Sequence, residues 1–455
     1  MSGRCCGRRI GCVLAMVWAA LWLAASAGGA PLRAGEPKAL PLEVAWDLPL
    51  PQPVVRSWVS PQVPELVFFQ LAGTHEIHCV ELQTGVTRWV SEPLPGAAEG
   101  DPFVQRQLLP GQREREVIVD DRLYVIIQDV LHCFDVATGQ RIWRLELPFS
   151  ASTGAVFAGP TEGSARGFIG DWTGKIQVVG LHQPLTAQQK KFPFIAWQMP
   201  TAGIVRAAPV EREQLIYASD TAGFVRCYRL ERSLVWERDL GGAIDGGVTV
   251  RQRVVYAGTA ANAVVALDAM SGEQLGKLHL RGAVRRRPFW FPGDGDRLYV
   301  WIDNPDPRIG GLTAILAQAD TIARADASKF AVPVQRMGVL WQVGSVDALI
   351  GATPLHLYLT ERRTRRVIQV HRGSGEIQST FSAQDLLPEE QTIQGVVSHQ
   401  HGFAPSIPVI AYSRQGWVRC WRAYGFIPTP EQERQGITSR AALSAERAPT
   451  SSATP

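Results

Sequence analysis

The sequence predicts an all-β fold, an eight-bladed β-propeller of four-stranded antiparallel blades closed by its N-terminal strand. Three observations predict it: hairpin-like segments that recur along the chain, a turn signature after several of them, and tryptophans at a set distance beyond that turn. The 455 residues include 43 glycines and 31 prolines and are 45% hydrophobic. This composition supplies a large core and disfavours long helices, disorder and coiled coils.

Five segments share the pattern of a β-hairpin. Each has a β-branched or aromatic run, a short polar break and a second apolar run. The segments are residues 65–82, 121–136, 214–230, 253–269 and 407–423. Further hairpins are expected near residues 167, 297 and 355, which gives eight blades. Seven blades are the alternative, because residues 285–400 are poorly periodic.

The turns that follow several hairpins repeat one pattern of an acid, two variable residues, a hydroxyl and a glycine. The clearest copies contain Asp135, Thr138, Gly139, Asp268, Ser271 and Gly272. The carboxylate and hydroxyl can accept hydrogen bonds from backbone N–H groups, and glycine adopts positive φ without steric cost. The pattern therefore predicts a tight turn into a further strand.

Tryptophans mark the expected outer strand of each blade, where a large ring can fill the space between twisted sheets. Those predicted to pack between blades are Trp46, Trp89, Trp143, Trp197, Trp236 and Trp341. Gly276 and Ser379 stand at this place in two degenerate repeats. Trp46 has no hairpin before it, and the last hairpin has no outer strand after it. We therefore expect the strand around Trp46 to complete the last blade and close the ring.

The first thirty residues are interpreted as a secretory signal peptide. Three arginines precede an apolar run at 10–27, which ends in small residues suited to cleavage. Residues 31–43 are then a linker, 44–426 the propeller and 427–455 a polar tail expected to be disordered. The expected location is periplasmic or extracellular, with a membrane anchor at the N terminus if the leader is not cleaved.

The charge of the mature chain does not support a general attraction to nucleic acid or to an acidic membrane. Removing the three leader arginines from 46 basic residues leaves 43, against 42 acidic residues. Two clusters are locally basic, and they contain Arg285, Arg286, Arg287, Arg362, Arg363, Arg365 and Arg366. They form either solvated turns or a docking patch for an acidic partner or an anionic surface.

Cysteine and histidine positions are interpreted as packing. Four cysteines share one phase of the repeat: Cys79, Cys133, Cys227 and Cys420. Equivalent residues of different blades are about 10 Å apart or more, which is too far for a disulfide, so free buried thiols are expected. His78 and His132 each precede one of these cysteines, and His399 and His401 lack further ligands for a metal.

An insertion interrupts the sixth repeat. Residues 303–311 are rich in turn-forming residues, and residues 317–330 are expected to form a short helix. Insertions of this kind project from one face of a propeller, where ligands commonly bind.

The repeat resembles the pyrroloquinoline-quinone (PQQ) type propeller repeat of the quinoprotein-like family. The resemblance rests on VVYAGT at 254–259, VVALDAMSGE at 264–273 and DVATGQRIW at 135–143, and it covers residues 44–426. It implies a propeller, and for secreted eight-bladed members a scaffold for other proteins. The family's dehydrogenases carry PQQ and calcium on the axis, often beside a disulfide of adjacent cysteines. The only adjacent pair here, Cys5 and Cys6, lies in the leader.

The sequence therefore favours an exported, monomeric, non-enzymatic scaffold that binds an unidentified envelope or secreted protein and has no cofactor. A quinoprotein-type oxidoreductase with PQQ and calcium is the alternative from another class. A third alternative is carbohydrate binding through exposed aromatic residues such as Trp172, Trp290 and Trp417.

Overall fold

The computed structural model describes most of the chain between residues 42 and 423. The described ranges are 42–60, 63–96, 98–108, 118–158, 166–180, 194–291, 293–323, 331–364, 366–382, 409–413 and 415–423. The predicted signal peptide and tail lie outside them. Within these ranges all regular structure is β, and no helix suited to crossing a membrane is present among them.

Eight antiparallel sheets make eight blades, which confirms the predicted fold class and blade number. Blade 1 contains β2 (Val54–Ser60), β3 (Val63–Leu71), β4 (Ile77–Glu81) and β5 (Thr87–Val90). Blade 2 contains β6 (Ala98–Leu108), β7 (Ile118–Ile127), β8 (Val130–Asp135) and β9 (Arg141–Glu146). Blade 3 contains β10 (Ala151–Ala158), β11 (Arg166–Asp171), β12 (Lys175–Gly180) and β13 (Phe194–Pro200). Blade 4 contains β14 (Val210–Arg212), β15 (Leu215–Ser219), β16 (Phe224–Arg229) and β17 (Leu234–Asp239).

The second half of the ring is less regular. Blade 5 contains β18 (Val248–Arg251), β19 (Val254–Thr259), β20 (Ala263–Asp268) and β21 (Gln274–His279). Blade 6 contains β22 (Arg297–Ile302), β23 (Gly311–Ala323) and β24 (Ala331–Gly344). Blade 7 contains β25 (Val346–Ala352), β26 (His356–Glu361), β27 (Val367–His371) and β28 (Ile377–Phe381). Blade 8 contains β29 (Val409–Tyr412), β30 (Trp417–Ala423) and β1 (Leu42–Pro49).

The strand order gives the propeller two faces. The first strands of blades 1 to 5 contact one another in succession, which places them innermost, around the axis. Because successive strands are antiparallel, the linkers between blades and the second turn of each blade lie at one end, here named the linker face. The first and third turns lie at the other end, the turn face. Hydrogen bonds from Thr221 N to Ile204 O and from Ala260 N to Ala243 O join each second turn to a linker.

The N-terminal strand closes the ring, as the sequence predicts. β1 pairs with β30 from Leu42 opposite Ala423 to Pro49 opposite Trp417. Arg419 donates from Nε and Nη2 to the two carboxylate oxygens of Asp47, at 2.5 and 2.8 Å. These hydrogen bonds lower the pKa of Asp47, so the ion pair stabilises the closure.

The core lies between the blades, because each sheet is apolar on both sides. Phe68 and Cys79 of blade 1 pack in one cluster with Leu123 and Phe134 of blade 2, and all four are fully buried. Alternate residues of the same strands, such as Phe69, face blade 8 instead.

The insertion in blade 6 corrects one sequence prediction. Residues 317–323, expected to begin a helix, belong to β23, and β23 pairs with β24 as far as Ala323 opposite Ala331. These strands have 13 and 14 residues, against six in β20 and β21. Their ends form a two-stranded arm at the third-turn position, and the arm therefore lies on the turn face. A run of alternating residues in a hairpin outweighs the helix propensity of its alanines.

Candidate functional site

Four of the predicted tryptophans join neighbouring blades in the same way. The indole N–H of Trp89 in blade 1 donates to the carbonyl oxygen of Val136 in blade 2, at 2.6 Å. A Cβ added to Gly139 would lie 2.4 Å from this indole, so the glycine makes room for the ring. Trp46, Trp236 and Trp341 make the same two contacts, donating to Leu82, Ala269 and Arg372 and covering Gly85, Gly272 and Gly375. We call these contacts tryptophan docks.

Trp143 and Trp197 occupy the equivalent strand position and are packed by other groups. Trp143 is half-buried and packs on Tyr124, with 5.9 Å between the ring centroids. Trp197 lies under two guanidinium groups, with Arg166 4.3 Å and Arg232 5.4 Å from its ring centroid. A cation over the ring here takes the place of the turn glycine.

The predicted turn residues build the turns that receive the tryptophans. Asp135 accepts hydrogen bonds from Thr138 N and Oγ at 2.8 and 2.9 Å, and Gly139 has φ 72°. Asp268 makes the same pair of contacts with Ser271, at 2.8 and 3.0 Å, beside Gly272 at φ 68°. These side chains are engaged in turn formation.

The four repeat cysteines are free and buried, as expected. Burial raises the pKa of Cys79, Cys133 and Cys227 to about 12, so these thiols stay protonated and unreactive. Burial, with the charges of Arg141 and Arg144, lowers the pKa of His132 to about 4. His399 and His401 lie outside the described residues, and the part of the chain that is described contains no group of three metal-ligating side chains.

A row of ion pairs crosses three successive linkers on the linker face. Arg206, Asp245 and Arg285 each directly follow a buried aliphatic residue of their linker. The carboxylate of Asp245 accepts from Arg206 at 3.1 Å and from Arg285 at 2.8 Å. Arg285 also lies 3.5 Å from the carboxylate of Asp303. This row connects blades 4, 5 and 6 where the chain enters the inner strands.

The other two arginines of the first cluster differ in their environments. Arg287 is half-buried and donates to the carbonyl oxygens of Ala208 at 2.6 Å and Gly246 at 3.4 Å. It therefore holds three linkers together. Arg286 is exposed, with its guanidinium 4.9 Å from the ring centroid of Trp301. Its Nη1 donates to the carbonyl oxygen of Asp347 at 2.6 Å.

The second arginine cluster lies on the same face. Arg362, Arg363 and Arg366 are exposed around the second turn of blade 7, and Arg365 lies outside the described residues. The backbone N–H of Arg362 donates to the carbonyl oxygen of Ser345 at 2.7 Å. Ser345 is two residues before Asp347, the residue that anchors Arg286, so the fold brings together two clusters that are 75 residues apart in sequence.

The three exposed-aromatic candidates do not share one surface. Trp172 is 51% exposed in the second turn of blade 3, and Trp417 is 40% exposed after the second turn of blade 8. Two blades separate them. Trp290 in blade 6 is half-buried beneath Arg251, whose guanidinium lies 4.9 Å from the ring centroid.

Sequence reasoning missed Arg206, Asp245 and Asp347, which organise the arginines. A signal for the first two was present, because Arg206, Asp245 and Arg285 follow one another at repeat spacing and alternate in charge. The role of Asp347 depends on its backbone oxygen, and no sequence pattern reports this contact.

Comparisons with known proteins agree with the geometry. A PQQ-type repeat model described as "Outer membrane protein assembly factor BamB" matches residues 221–327, which run from blade 4 into blade 6. The crystal structure of BamB from Moraxella catarrhalis is similar with TM-score 0.52 and 13% sequence identity, covering 84% of this chain and 99% of that chain. The computationally designed Ika8 protein is similar with TM-score 0.52 and 12% identity, covering 82% and 97%. No curated protein sequence matches the chain.

These similarities show the fold. The resemblance to the PQQ-type repeat that the sequence indicates is confirmed by the family match in blades 4 to 6. The chain is thus an eight-bladed β-propeller in which residues 221–327 match a PQQ-type repeat model, with two arginine clusters gathered on its linker face.

Proposed function

We propose that the protein is an exported, non-enzymatic scaffold of the cell envelope that binds an acidic protein partner through its linker face. The observation that carries this proposal is the meeting of the two arginine clusters beside Ser345 and the start of β25. The match to a BamB family model supports an envelope role, and the predicted signal peptide supports export. The proposal includes no cofactor.

The linker face over blades 4 to 7 is basic at its exposed positions. Its exposed arginines are Arg206, Arg281, Arg285, Arg286, Arg308, Arg362, Arg363 and Arg366. Its exposed acids in the described linkers and second turns of these blades are Asp303 and Asp306. A surface with this bias attracts an acidic partner and accelerates its association at low salt.

A protein fits this surface better than a membrane does. Asp245, Asp303 and Asp347 are interspersed among the arginines, so the two signs of charge alternate over short distances. A uniformly anionic bilayer would meet these carboxylates as well as the arginines. A folded partner can place opposite charges against each sign, which makes mixed surfaces specific.

The row of Arg206, Asp245 and Arg285 in the described linkers does not favour the quinoprotein alternative. Calcium takes six to eight oxygen ligands, several of them carboxylates. Asp245 is the carboxylate of the three-linker row, and Arg206 and Arg285 already bind both of its oxygens. This donor set does not fit calcium.

The proposal is tested by capture from an envelope extract with matched charge reversals. One variant combines R362E, R363E and R366E on the linker face. The control combines R212E, R229E and R253E, which are exposed arginines of the turn face and change the net charge equally. We expect an acidic partner to bind the wild type and the control and to lose at least about tenfold in affinity for the linker-face variant.

Two results would overturn the proposal. One is equal capture by both variants. The other is dye-linked oxidation of alcohols or sugars by the full chain after incubation with PQQ and calcium.

A further inference from the structure

Arg286 is an exposed arginine of the linker face whose guanidinium is held by an aromatic ring and a backbone carbonyl. Its guanidinium lies 4.9 Å from the ring centroid of Trp301, a residue of β22 that is only 9% exposed. One of its nitrogens donates to the carbonyl oxygen of Asp347 at 2.6 Å. A guanidinium fixed by a ring and a carbonyl loses little rotamer freedom when it binds a ligand. Arg286 is therefore preorganised.

Arg362 approaches Arg286 from blade 7. Its backbone N–H donates to Ser345 O, and Arg286 donates to Asp347 O two residues later, at the start of β25. The side chain of Arg286 is exposed, but partial burial of its guanidinium lowers its pKa. The charge of Asp347 opposes this shift, and the charge of Arg362 acts in the same direction as burial. The two cations thus repel each other, and an anion between them would relieve this repulsion.

The three aspartates near Arg286 have different partners. Asp245 binds Arg206 and Arg285, and Asp303 lies beside Arg285. The Asp347 carboxylate accepts from Thr360 Oγ at 2.7 Å, although its charge still attracts Arg286. Two carboxylates, those of Asp347 and Asp303, therefore attract Arg286. The exposed arginines at this place are Arg285, Arg286 and Arg362, so cations outnumber these two carboxylates by one.

We propose that Arg286 and Arg362 form a clamp for two neighbouring carboxylates in an acidic segment of the partner, with Trp301 as a positioning residue. The inference rests on the proposed function of the linker face and names its recognition element. Guanidinium groups bind carboxylates through two parallel hydrogen bonds, and arginines on a preorganised support are frequent anchors of interfaces.

The test measures binding of fluorescein-labelled octaglutamate to the full chain by fluorescence anisotropy, with octaglutamine as the uncharged probe. We expect octaglutamate to bind, to weaken between about 50 and about 200 mM salt, and to lose about tenfold in affinity with R286Q and with R362Q. R308Q removes an exposed arginine of the same face outside the clamp, and its affinity should change less than about twofold.

The role of Trp301 is tested by a pair of substitutions. W301F retains an aromatic face and should keep octaglutamate binding within about threefold, whereas W301L should match the loss of R286Q. Thermal midpoints of both variants identify any general loss of folding. If W301L folds and binds as the wild type does, Trp301 has no positioning role.

The clamp and the proposed function fail in different ways. If R286Q, R362Q and R308Q all bind octaglutamate equally, the clamp is wrong, even if the triple reversal still abolishes partner capture. Phosphatidylglycerol vesicles and inorganic phosphate are added as competitors of labelled octaglutamate. If either displaces it from Arg286 as strongly, per negative charge, as unlabelled octaglutamate does, the site recognises anions in general and the proposed protein segment is wrong. If octaglutamate binds the clamp but envelope capture ignores the charge reversals, the proposed function fails instead.

Discussion

The junction between blades 1 and 2 and the junction between blades 5 and 6 solve one packing problem with different groups. At the first, Trp89 covers Gly139 and donates a hydrogen bond to Val136 O. At the second, Gly276 replaces the tryptophan, and the backbone of β24 takes the space, with Gln335 O 2.5 Å from the place of a Cβ on Gly276. A side chain fills the gap in one case and a neighbouring strand in the other.

This difference shows that a repeat can lose its most characteristic residue without losing its place in the ring. The arm of blade 6 contacts blade 5, and Met337 of β24 packs against the same cluster as Leu275 and Leu278 of β21. An insertion that looks like a deviation in sequence therefore completes the packing of the blade before it.

The largest effect is expected from Gly139→Ala. The new Cβ would collide with Trp89 and would force alanine to adopt φ 72°, and together these should lower the free energy of unfolding by about 4 kcal/mol. Gly241→Ala is the control, because its φ is 75° and nothing lies within 4 Å of the added Cβ. The control should lose about 1 kcal/mol in chemical denaturation. Equal losses would mean that the dock does not constrain the turn.

Removing the docked ring should cost slightly less. Trp89→Leu deletes a buried indole and leaves Val136 O without its donor, so we expect a loss of about 3 kcal/mol. Trp197→Leu, at a half-buried ring without a dock among the described contacts, should lose about 1 kcal/mol. Thermal denaturation of both variants measures the difference. A larger loss for Trp197→Leu would reverse the proposed ranking of the two kinds of junction.

At the junction between blades 5 and 6, Gly276 is the glycine whose substitution should lower stability. Gly276→Ala should lower stability by about 2 kcal/mol, because its Cβ would push against the backbone oxygen of Gln335. Gly338 lies in β24 with nothing within 4 Å of an added Cβ. Gly338→Ala should therefore change the free energy of unfolding by less than about 1 kcal/mol. The change can be stabilising, because alanine restricts the unfolded chain more than glycine does. If both variants behave alike, the arm does not press on blade 5.

The smallest effect is a pH dependence of the docked junction. His132 stacks on Phe134, with 6.1 Å between ring centroids, and Phe134 packs in the same cluster as Trp89. The folded pKa of His132 is about 4, below the usual value of 6.5, so its contribution to stability is complete above pH 6.5 and is lost as the pH falls toward 4. Between pH 6.5 and 5.5 the loss should be about 1 kcal/mol.

The variant His132→Phe checks this prediction. Its free energy of unfolding should fall less than that of the wild type over the same pH interval, because it removes the buried group that must take up a proton. Identical pH profiles for the two proteins would show that His132 is not the titrating group.

Much of the ring could be predicted from sequence because its hairpins repeat. All eight expected hairpins are found, and Trp46 lies in the strand that closes blade 8. The helix that the sequence predicts over 317–330 is wrong at residues 317–323, which pair in β23, and residues 324–330 lie outside the described residues. Alanine-rich segments have helical propensity, whereas pairing in a hairpin depends on register.

The candidate site was only half predictable. Both arginine clusters are visible in sequence, but their meeting at Ser345 and Asp347 depends on contacts between blades. Arg287, predicted as part of the docking patch, donates to two linker carbonyls. Sequence alone does not distinguish such a crosslink between linkers from the exposed Arg286.

The pairing of β1 with β30 determines on which face the propeller can be attached to a surface or a label. Leu42, where β1 begins, is opposite Ala423, where β30 ends, and both lie at the turn face. Surface coupling or a fluorescent tag placed just outside either position would leave the arginines pointing away from the attachment. The same chain can therefore be immobilised from both ends in turn, and a ligand of the linker face should give the same affinity in both orientations.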